Sequence, residues 1–398
     1  MPKRMERLLI AHIKPNKCDC NIGHLNIGNV DNLLNRAAKV PMATALKVGE
    51  TDASYGLAES LVSEVAVLIV GYRNSEDVVD CLLALSRATT SPTFDIFICE
   101  NGGRDAYHHL VSALISEEGP CRRGQSFGIA LDDNTSRFTN VQRLSLRGRS
   151  SNVWVGCAYD NLGYAGGINA WLRPLSAIPT WCAIWILNPD TQPTESALAA
   201  LHERAQSGRK AMVGSTILDS LDADHVRFRG GLSWQRLAAR DVAIGLGELI
   251  DMSCNIAAVE DAMDSPSGAS MYVTRWCIER IGLMDESYFL FYEDMDWGLR
   301  ARHLGLGYAA DSIVIHKRGT TTGSGRASVL SVYLQHRNCV RFVRRHFPWS
   351  LPLRVAVSLM YAFRFLLQGA PSNSRAAVEG LVAGLKGEMG QPKERMVQ

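Results

Sequence analysis

Glu293-Asp294-Met295-Asp296 sets three carboxylates within four residues, directly after the apolar run Tyr288-Phe289-Leu290-Phe291-Tyr292, which reads as a strand. Like charges packed that closely repel, so the cluster is costly unless a cation, a proton transfer or a helix terminus uses it. The N-terminus of a following helix accommodates one or two of them, Asp296 among them, but not all three. A crowded carboxylate in a cleft holds its proton more tightly, which suits proton abstraction. Asn188-Pro189-Asp190 closes a second apolar run, Trp181 to Leu187. An Asp there offers one hard oxygen to Mg²⁺ or Mn²⁺, which take further oxygens from a phosphate; the same tripeptide also makes an ordinary turn. His316 ends a third run and leads into Lys317-Arg318-Gly319-Thr320-Thr321-Thr322-Gly323. An imidazole, two cations and a Gly/Thr loop can hold a metal-bound diphosphate, and a purely structural histidine is the competing reading.

These residues need a scaffold that brings strand ends together. Val65-Ala66-Val67-Leu68-Ile69-Val70, stopped by Gly71, is short, apolar and β-branched, as a strand buried on both faces would be. Val78, Val79, Leu82, Leu83 and Leu85 recur at helical spacing, so a helix is expected over Glu76 to Ala88. Phe94 to Cys99 reads as the next strand, and strand–helix–strand is the unit of a parallel α/β sheet. Further strands are expected at Val153 to Val155, Trp181 to Leu187, Ala211 to Gly214 and Ala309 to His316, with helices from Ile168, over Cys277 to Ile281 and up to Leu304. In such sheets ligands bind beyond the carboxyl ends of the strands. Tyr72, Arg73, Asn74, Glu100, Asn101 and Asp190 stand there in succession.

The division expected is an N-terminal extension at residues 1–64, an α/β domain at 65–327 and a helical segment at 328–398. Of 398 residues, 46% are hydrophobic and 21% charged, with a formal net charge of +2. That excludes a mostly disordered chain and gives no global attraction to nucleic acid. The 10 cysteines include no CxxC pair, and Cys18, Cys20 and His24 lack a second ligand pair, so no structural zinc site is indicated. Leu8-Leu9-Ile10-Ala11 is too short for a secretory signal, and no apolar run reaches membrane-spanning length, so a cytoplasmic protein is expected. The segment after Arg337, Arg341, Arg344 and Arg345 carries Leu351, Val355, Leu359 and Phe363. Two readings stay open: helices packed on the domain or across a homodimer, or peripheral contact with an anionic membrane surface such as the inner face of the plasma membrane.

The ordered motifs, over about Val65 to Phe347, resemble the family 2 glycosyltransferases of GT-A fold, a Rossmann-like, mostly parallel sheet with flanking helices. They are Val67 to Asn74, Ile98 to Gly102, Asn161-Leu162-Gly163-Tyr164-Ala165-Gly166-Gly167-Ile168-Asn169, Leu187 to Asp190, Gly268 to Met271, Ile281 to Glu286, Tyr292 to Trp297, His316 and Arg337-Asn338. Within that family the chain is most similar to bacterial rhamnosyltransferase-type enzymes of surface polysaccharide assembly. The resemblance implies a nucleotide-sugar donor, dTDP-rhamnose or a UDP-sugar among the candidates, a glycan or lipid-linked acceptor, Mg²⁺ or Mn²⁺, and inversion at the anomeric carbon. It places Tyr72, Asn74, Glu100, Asn161, Gly163, Gly167, Asn188 and Asp190 around the donor, and Asp190 with His316 at the metal. Asp294 becomes the general base beside Glu293, and Asp296 and Trp297 fall on the acceptor side. The sequence departs from the family at Glu100 and Asn188, where Asp is common. A sugar nucleotidyltransferase is disfavoured by the single glycine in Gly71-Tyr72-Arg73-Asn74-Ser75, and a non-catalytic scaffold on the same fold stays as an alternative.

Overall fold

The computed structural model describes residues 63–124, 137–317 and 328–392, all within one compact unit. The expected extension up to residue 62, the Cys18/Cys20/His24 group and the loop after Lys317 lie outside the described residues.

Strand β1 (Val65–Gly71) is buried along its length because its side chains are apolar on both faces. It leads through Asn74 into α1 (Ser75–Ser86), and β2 (Phe94–Glu100) returns parallel to β1, with Val65 opposite Phe94 and Gly71 opposite Glu100. There follow α2 (Arg104–Leu114), β3 (Cys121–Arg123), β4 (Phe138–Leu146), β5 (Asn152–Ala158), α3 (Gly163–Ser176), β6 (Ala183–Leu187), β7 (Thr191–Pro193) and α4 (Ala197–Ser207). The second half adds β8 (Met212–Asp219), β9 (Asp222–Arg229), β10 (Gly231–Gln235), β11 (Arg240–Ala243), α5 (Ile256–Ala262), β12 (Ser265–Pro266), β13 (Ser270–Thr274) and α6 (Arg275–Ile281). It closes with α7 (Glu293–Ala301), β14 (Leu306–His316), α8 (Val329–His346), α9 (Leu351–Leu367) and α10 (Pro371–Lys386).

Among the described residues the main sheet runs β3-β4-β5-β2-β1-β6-β13-β8-β14-β7, with β9 on β8. The four central strands β5, β2, β1 and β6 are parallel, as expected of an α/β fold. Outside them β13 enters antiparallel between β6 and β8, a feature no periodicity in the sequence signals. Alternation along β1 separates two core layers. Val65, Val67 and Ile69 pack with Leu82, Leu110 and Leu201 of α1, α2 and α4; Ala66 and Leu68 pack with Trp171, Ile278 and Trp297 of α3, α6 and α7. Each fully buried side chain of this size stabilises the fold by about 1.5–3 kcal/mol.

Two expectations are corrected here. Tyr288–Tyr292 is not a strand: Glu286–Tyr288 form a single 3₁₀ turn, and Phe289, Phe291 and Tyr292 have φ of 67°, 71° and 72°. Left-handed backbone is costly for large side chains, so something must hold this loop. Residues Pro348–Leu367 do form one helical stretch long and apolar enough, by length and composition alone, to cross a membrane. Arg354 and Arg364 interrupt the run without shortening the helix.

Candidate active site

The carboxyl ends of β1 and β2 open onto a groove of ≈ 990 Å³ lined in part by Tyr72, Arg73, Asn74, Gly102, Arg104 and His109. Tyr72 is exposed, with the Arg73 guanidinium 5.4 Å from its ring centre. Asn74 accepts from the Tyr72 amide (2.9 Å) and fixes the turn. Glu100 stands behind the groove and is fully buried. Its Oε1 accepts from the amides of Arg73 (3.1 Å) and Gly102 (2.7 Å), pinning the two loops to each other. Burial pushes its carboxyl above the usual range, against those bonds and Arg73, and Oε2 has no partner. The extra methylene of Glu over Asp fits because Gly71 and Gly102 leave room: a Cβ at Gly102 would lie 2.6 Å from Oε1, and one at Gly71 2.9 Å from Oε2.

Asp190 follows β6 and precedes β7, whose Thr191 pairs with His316 at the end of β14. That register brings His316 Nε2 to 3.1 Å from Asp190 Oδ1. On the far side of the ring Arg227 Nη1 lies 3.2 Å from Nδ1. A guanidinium only donates, so Nδ1 accepts, the ring proton sits on Nε2, and His316 donates to Asp190. In this arrangement His316 orients the carboxylate, and the hard oxygens are those of Asp190. No group of three His, Cys, Asp or Glu side chains suited to a cation occurs among the described residues. One carboxylate at a strand end still fits Mg²⁺ or Mn²⁺ held jointly with donor phosphates, the usual manner for those ions. Lys317, the next residue, is engaged by Asp77 (3.1 Å) and Asp80 (2.6 Å) of α1.

A short chain of contacts links Asp190 to the acidic cluster. The Asn188 amide donates to Ala269 (3.1 Å), and Tyr164 Oη shares its proton between Asn188 Oδ1 (3.0 Å) and the Gly268 carbonyl (2.8 Å). The Gly268 amide in turn donates to Asp294 Oδ2 (3.3 Å). A Cβ at Gly268 would sit 2.8 Å from that oxygen, so only glycine lets the strand end and α7 approach this closely. Burial and the charges of Glu293, Asp294 and Asp190 all push the Tyr164 hydroxyl well above its ordinary pKa. Tyr164 therefore lies among all three carboxylates. Nothing in its sequence position signalled this beyond the glycine-rich turn around it.

Asp294 sits in the first turn of α7, where its Oδ1 accepts from the Met295 amide (2.8 Å). Burial first, and the Asp241 charge second among the raising causes, push its pKa up to about 6. Glu293 is buried with Oε2 unpartnered, and burial and the neighbouring Asp294 hold its carboxyl well above the usual range. The left-handed loop ahead of them is held from outside. Asn338 of α8 turns its amide group to the carbonyls of Tyr288 (2.7 Å), Leu290 (2.8 Å) and Phe291 (3.0 Å), and Arg337 reaches Tyr288 (3.2 Å). On the other side the Tyr164 amide donates to Phe289 (2.7 Å). Gly163, at φ 70°, passes so close that a Cβ would stand 2.3 Å from the Phe289 oxygen.

Of the remaining expected site residues, Asn161 caps the turn by accepting from the Gly163 amide (3.1 Å). Gly167 faces Val70, 2.9 Å from where its Cβ would be, so its missing side chain serves helix–strand packing. The acceptor-side expectation for Asp296 and Trp297 is overturned. Both are fully buried: Asp296 is bound by Arg300 (3.0 Å), His346 (2.7 Å) and Arg345 (3.2 Å), and the Trp297 indole donates to Gly282 (2.9 Å). At 100° per residue Asp296 lies on the far side of α7 from Asp294. Trp297, three residues on, shares the side of Asp294 and is excluded by its complete burial.

No family model matches the chain. Among curated proteins it is similar to the low-salt glycan biosynthesis hexosyltransferase Agl10 of Haloferax volcanii, at 23% identity over 266 residues, 62% of this chain and 83% of that protein. It is also similar to an N-acetylglucosaminyl-diphospho-decaprenol L-rhamnosyltransferase of Mycobacterium tuberculosis, 25% identical over 257 residues, 59% of this chain and 82% of that one. Solved structures that resemble it include a mannosyltransferase of Pyrobaculum calidifontis in complex with GDP-Man and Mn²⁺ (10% identity, TM-score 0.43, 82% of this chain and 88% of that one). Another is S. aureus TarS 1-349 in complex with UDP-GlcNAc (12% identity, TM-score 0.41, 82% and 92%). The kinship to family 2 glycosyltransferases read from the motifs is borne out by the curated relatives. The chain is a glycosyltransferase.

Proposed function

We propose that the chain moves a sugar from a nucleoside-diphosphate donor to an acceptor hydroxyl, with inversion at the anomeric carbon. The acceptor would be a glycan or lipid-linked glycan of surface polysaccharide synthesis. The observation that supports this reading is the wall of contacts Asn188–Tyr164–Gly268–Asp294, which runs from the strand end that carries Asp190 to a carboxylate of raised pKa. Such a wall supports one reacting centre between two opposed tasks.

In this mechanism the nucleotide lies in the groove of Tyr72, Asn74 and Gly102, and Glu100 keeps the two groove loops in register. Asp190 would hold Mg²⁺ or Mn²⁺ against the diphosphate, with His316 orienting it and Arg227 adding positive charge. The bound cation supplies Lewis-acid neutralisation of the leaving diphosphate. Asp294, already inclined to hold a proton, takes that of the acceptor hydroxyl as the new bond forms. Single displacement with inversion would require Asp294 and the leaving diphosphate to act on opposite sides of the sugar.

A panel of nucleoside diphosphates with and without Mn²⁺ tests the reading by thermal shift. One nucleotide at a hundred times its Kd should stabilise the protein by about 2.7 kcal/mol, and only when Mn²⁺ is present. A panel in which no nucleotide moves the melting temperature would refute it.

A further inference from the structure

Helix α9 is amphipathic in reverse. It turns Arg354, Ser358 and Ala362 into the protein, while Leu353, Leu359, Met360, Phe363, Leu366 and Leu367 are exposed. At 100° per residue the exposed residues share one continuous arc, with Arg364 at its edge. The inward arginine is held through both terminal nitrogens: Arg354 donates to the Ala239 carbonyl (3.1 Å) and to His336 Nδ1 (3.2 Å). Phe363 is 61% exposed, Leu367 73%, and Trp349, just ahead of the helix, 95%. A contiguous apolar face of this kind marks a surface that something covers.

The charge pattern says what. Helix α9 carries no Asp or Glu, and Arg364 stands exposed at the rim of its apolar arc. Among the other arginines from Arg337 to Arg375, Arg337 and Arg354 are buried, Arg341 and Arg345 are engaged by Asp285, and Arg375 by Glu379. A second copy docking symmetrically would set this basic edge against itself with no acid on the helix to offset it. An anionic lipid surface offers hydrocarbon for the apolar arc and negative charge for Arg364 together. Because Arg354, Ser358 and Ala362 stay packed against the domain, the helix lies along a bilayer and does not cross it. We propose that α9 seats the protein on an anionic lipid bilayer, its arc from Leu353 to Leu367 in the boundary between headgroups and acyl chains.

The same face connects to the cleft. Ala362 shares one apolar cluster with Phe289, Leu290 and Phe291 of the left-handed loop and with Val332 and Leu334 of α8. Resting on the transfer reading above, this seats the loop that leads into Glu293 and Asp294 of α7 next to a membrane where a lipid-linked hydroxyl would arrive.

The test is flotation of the full chain with vesicles of phosphatidylcholine alone or mixed with phosphatidylglycerol. The chain should float with the anionic vesicles at least tenfold more than with the neutral ones. Arg364→Glu should lower anionic partition at least fivefold. The exposed double variant Met360→Glu/Phe363→Glu should lose it at least tenfold with an unchanged melting temperature. Equal flotation of the double variant and the parent would overturn the proposal. So would a parent that ignores vesicles but forms a dimer the double variant dissolves, since a second copy would then be the occupant. The nucleotide-induced melting shift, read on the same samples without vesicles, reports separately on the transfer reading.

Discussion

Replacing Asp294 by Asn should make the protein more stable while removing its activity. In the folded state the Asp294 pKa rises from 3.8 to about 6, with burial the leading cause. Between those two pH values the native protein holds a proton that the unfolded chain has released, so stability falls as pH rises through the window. At 1.36 kcal/mol per pH unit, the gap amounts to about 3 kcal/mol of destabilisation, fully present above pH 6 and absent below about 3.8. Asn carries no charge to desolvate; its single oxygen keeps one of the two amide bonds, from Gly268 or Met295, and the loss of the other sets the gain below the full value. The substitution also relieves Glu293, whose carboxyl is raised partly by Asp294. Urea unfolding at pH 8 should therefore show Asp294→Asn more stable than the parent by up to about 3 kcal/mol, with the advantage shrinking as the pH falls to 4. Transfer should drop by about 10²–10⁴, the usual worth of a general base. A variant less stable than the parent at pH 8, or a difference independent of pH, would show that Asp294 is not a desolvated carboxylate.

Gly163→Ala should cost at least about 2 kcal/mol and most of the turnover, because its methyl group would press on the Phe289 carbonyl from a left-handed backbone; thermal melting and initial rates read both. Asn338→Asp should harm more than Asn338→Ala, since a carboxylate cannot donate and would face three carbonyl oxygens; the order of melting temperatures decides it. Asp296→Asn should destabilise by about 3–5 kcal/mol by leaving Arg300, Arg345 and His346 without their shared acid. Its residual folded fraction should keep the parent's acceptor KM, and a raised KM with normal stability would return Asp296 to the acceptor side.

The parallel core was legible because β1, β2, β5 and β6 are short apolar runs closed by turn residues, and each lies where the pattern puts it. The strand ends carry Tyr72, Asn74, Asp190 and His316 for the same reason. Three things were not legible. The run Tyr288–Tyr292 has strand composition, and only the contacts from Asn338 and Tyr164, distant in sequence, bend it into left-handed backbone. Asp296 looks like its neighbour Asp294, and the helical turn alone separates a cleft residue from a buried anchor. Arg227 lies on β9, a strand with no motif, and it meets His316 only because β14 and β9 both flank β8.

The central claim is that Asp190 and Asp294 divide the work of one cleft, the first holding the metal-bound nucleotide and the second taking the proton. Calorimetric titration of the matching nucleoside diphosphate with Mn²⁺ into Asp190→Asn and Asp294→Asn, beside their transfer rates, tests it most directly. The account predicts that Asp190→Asn loses metal-dependent binding, whereas Asp294→Asn binds within about threefold of the parent and transfers nothing measurable. Parallel loss of binding in both variants, or intact metal-dependent binding in Asp190→Asn, would contradict it.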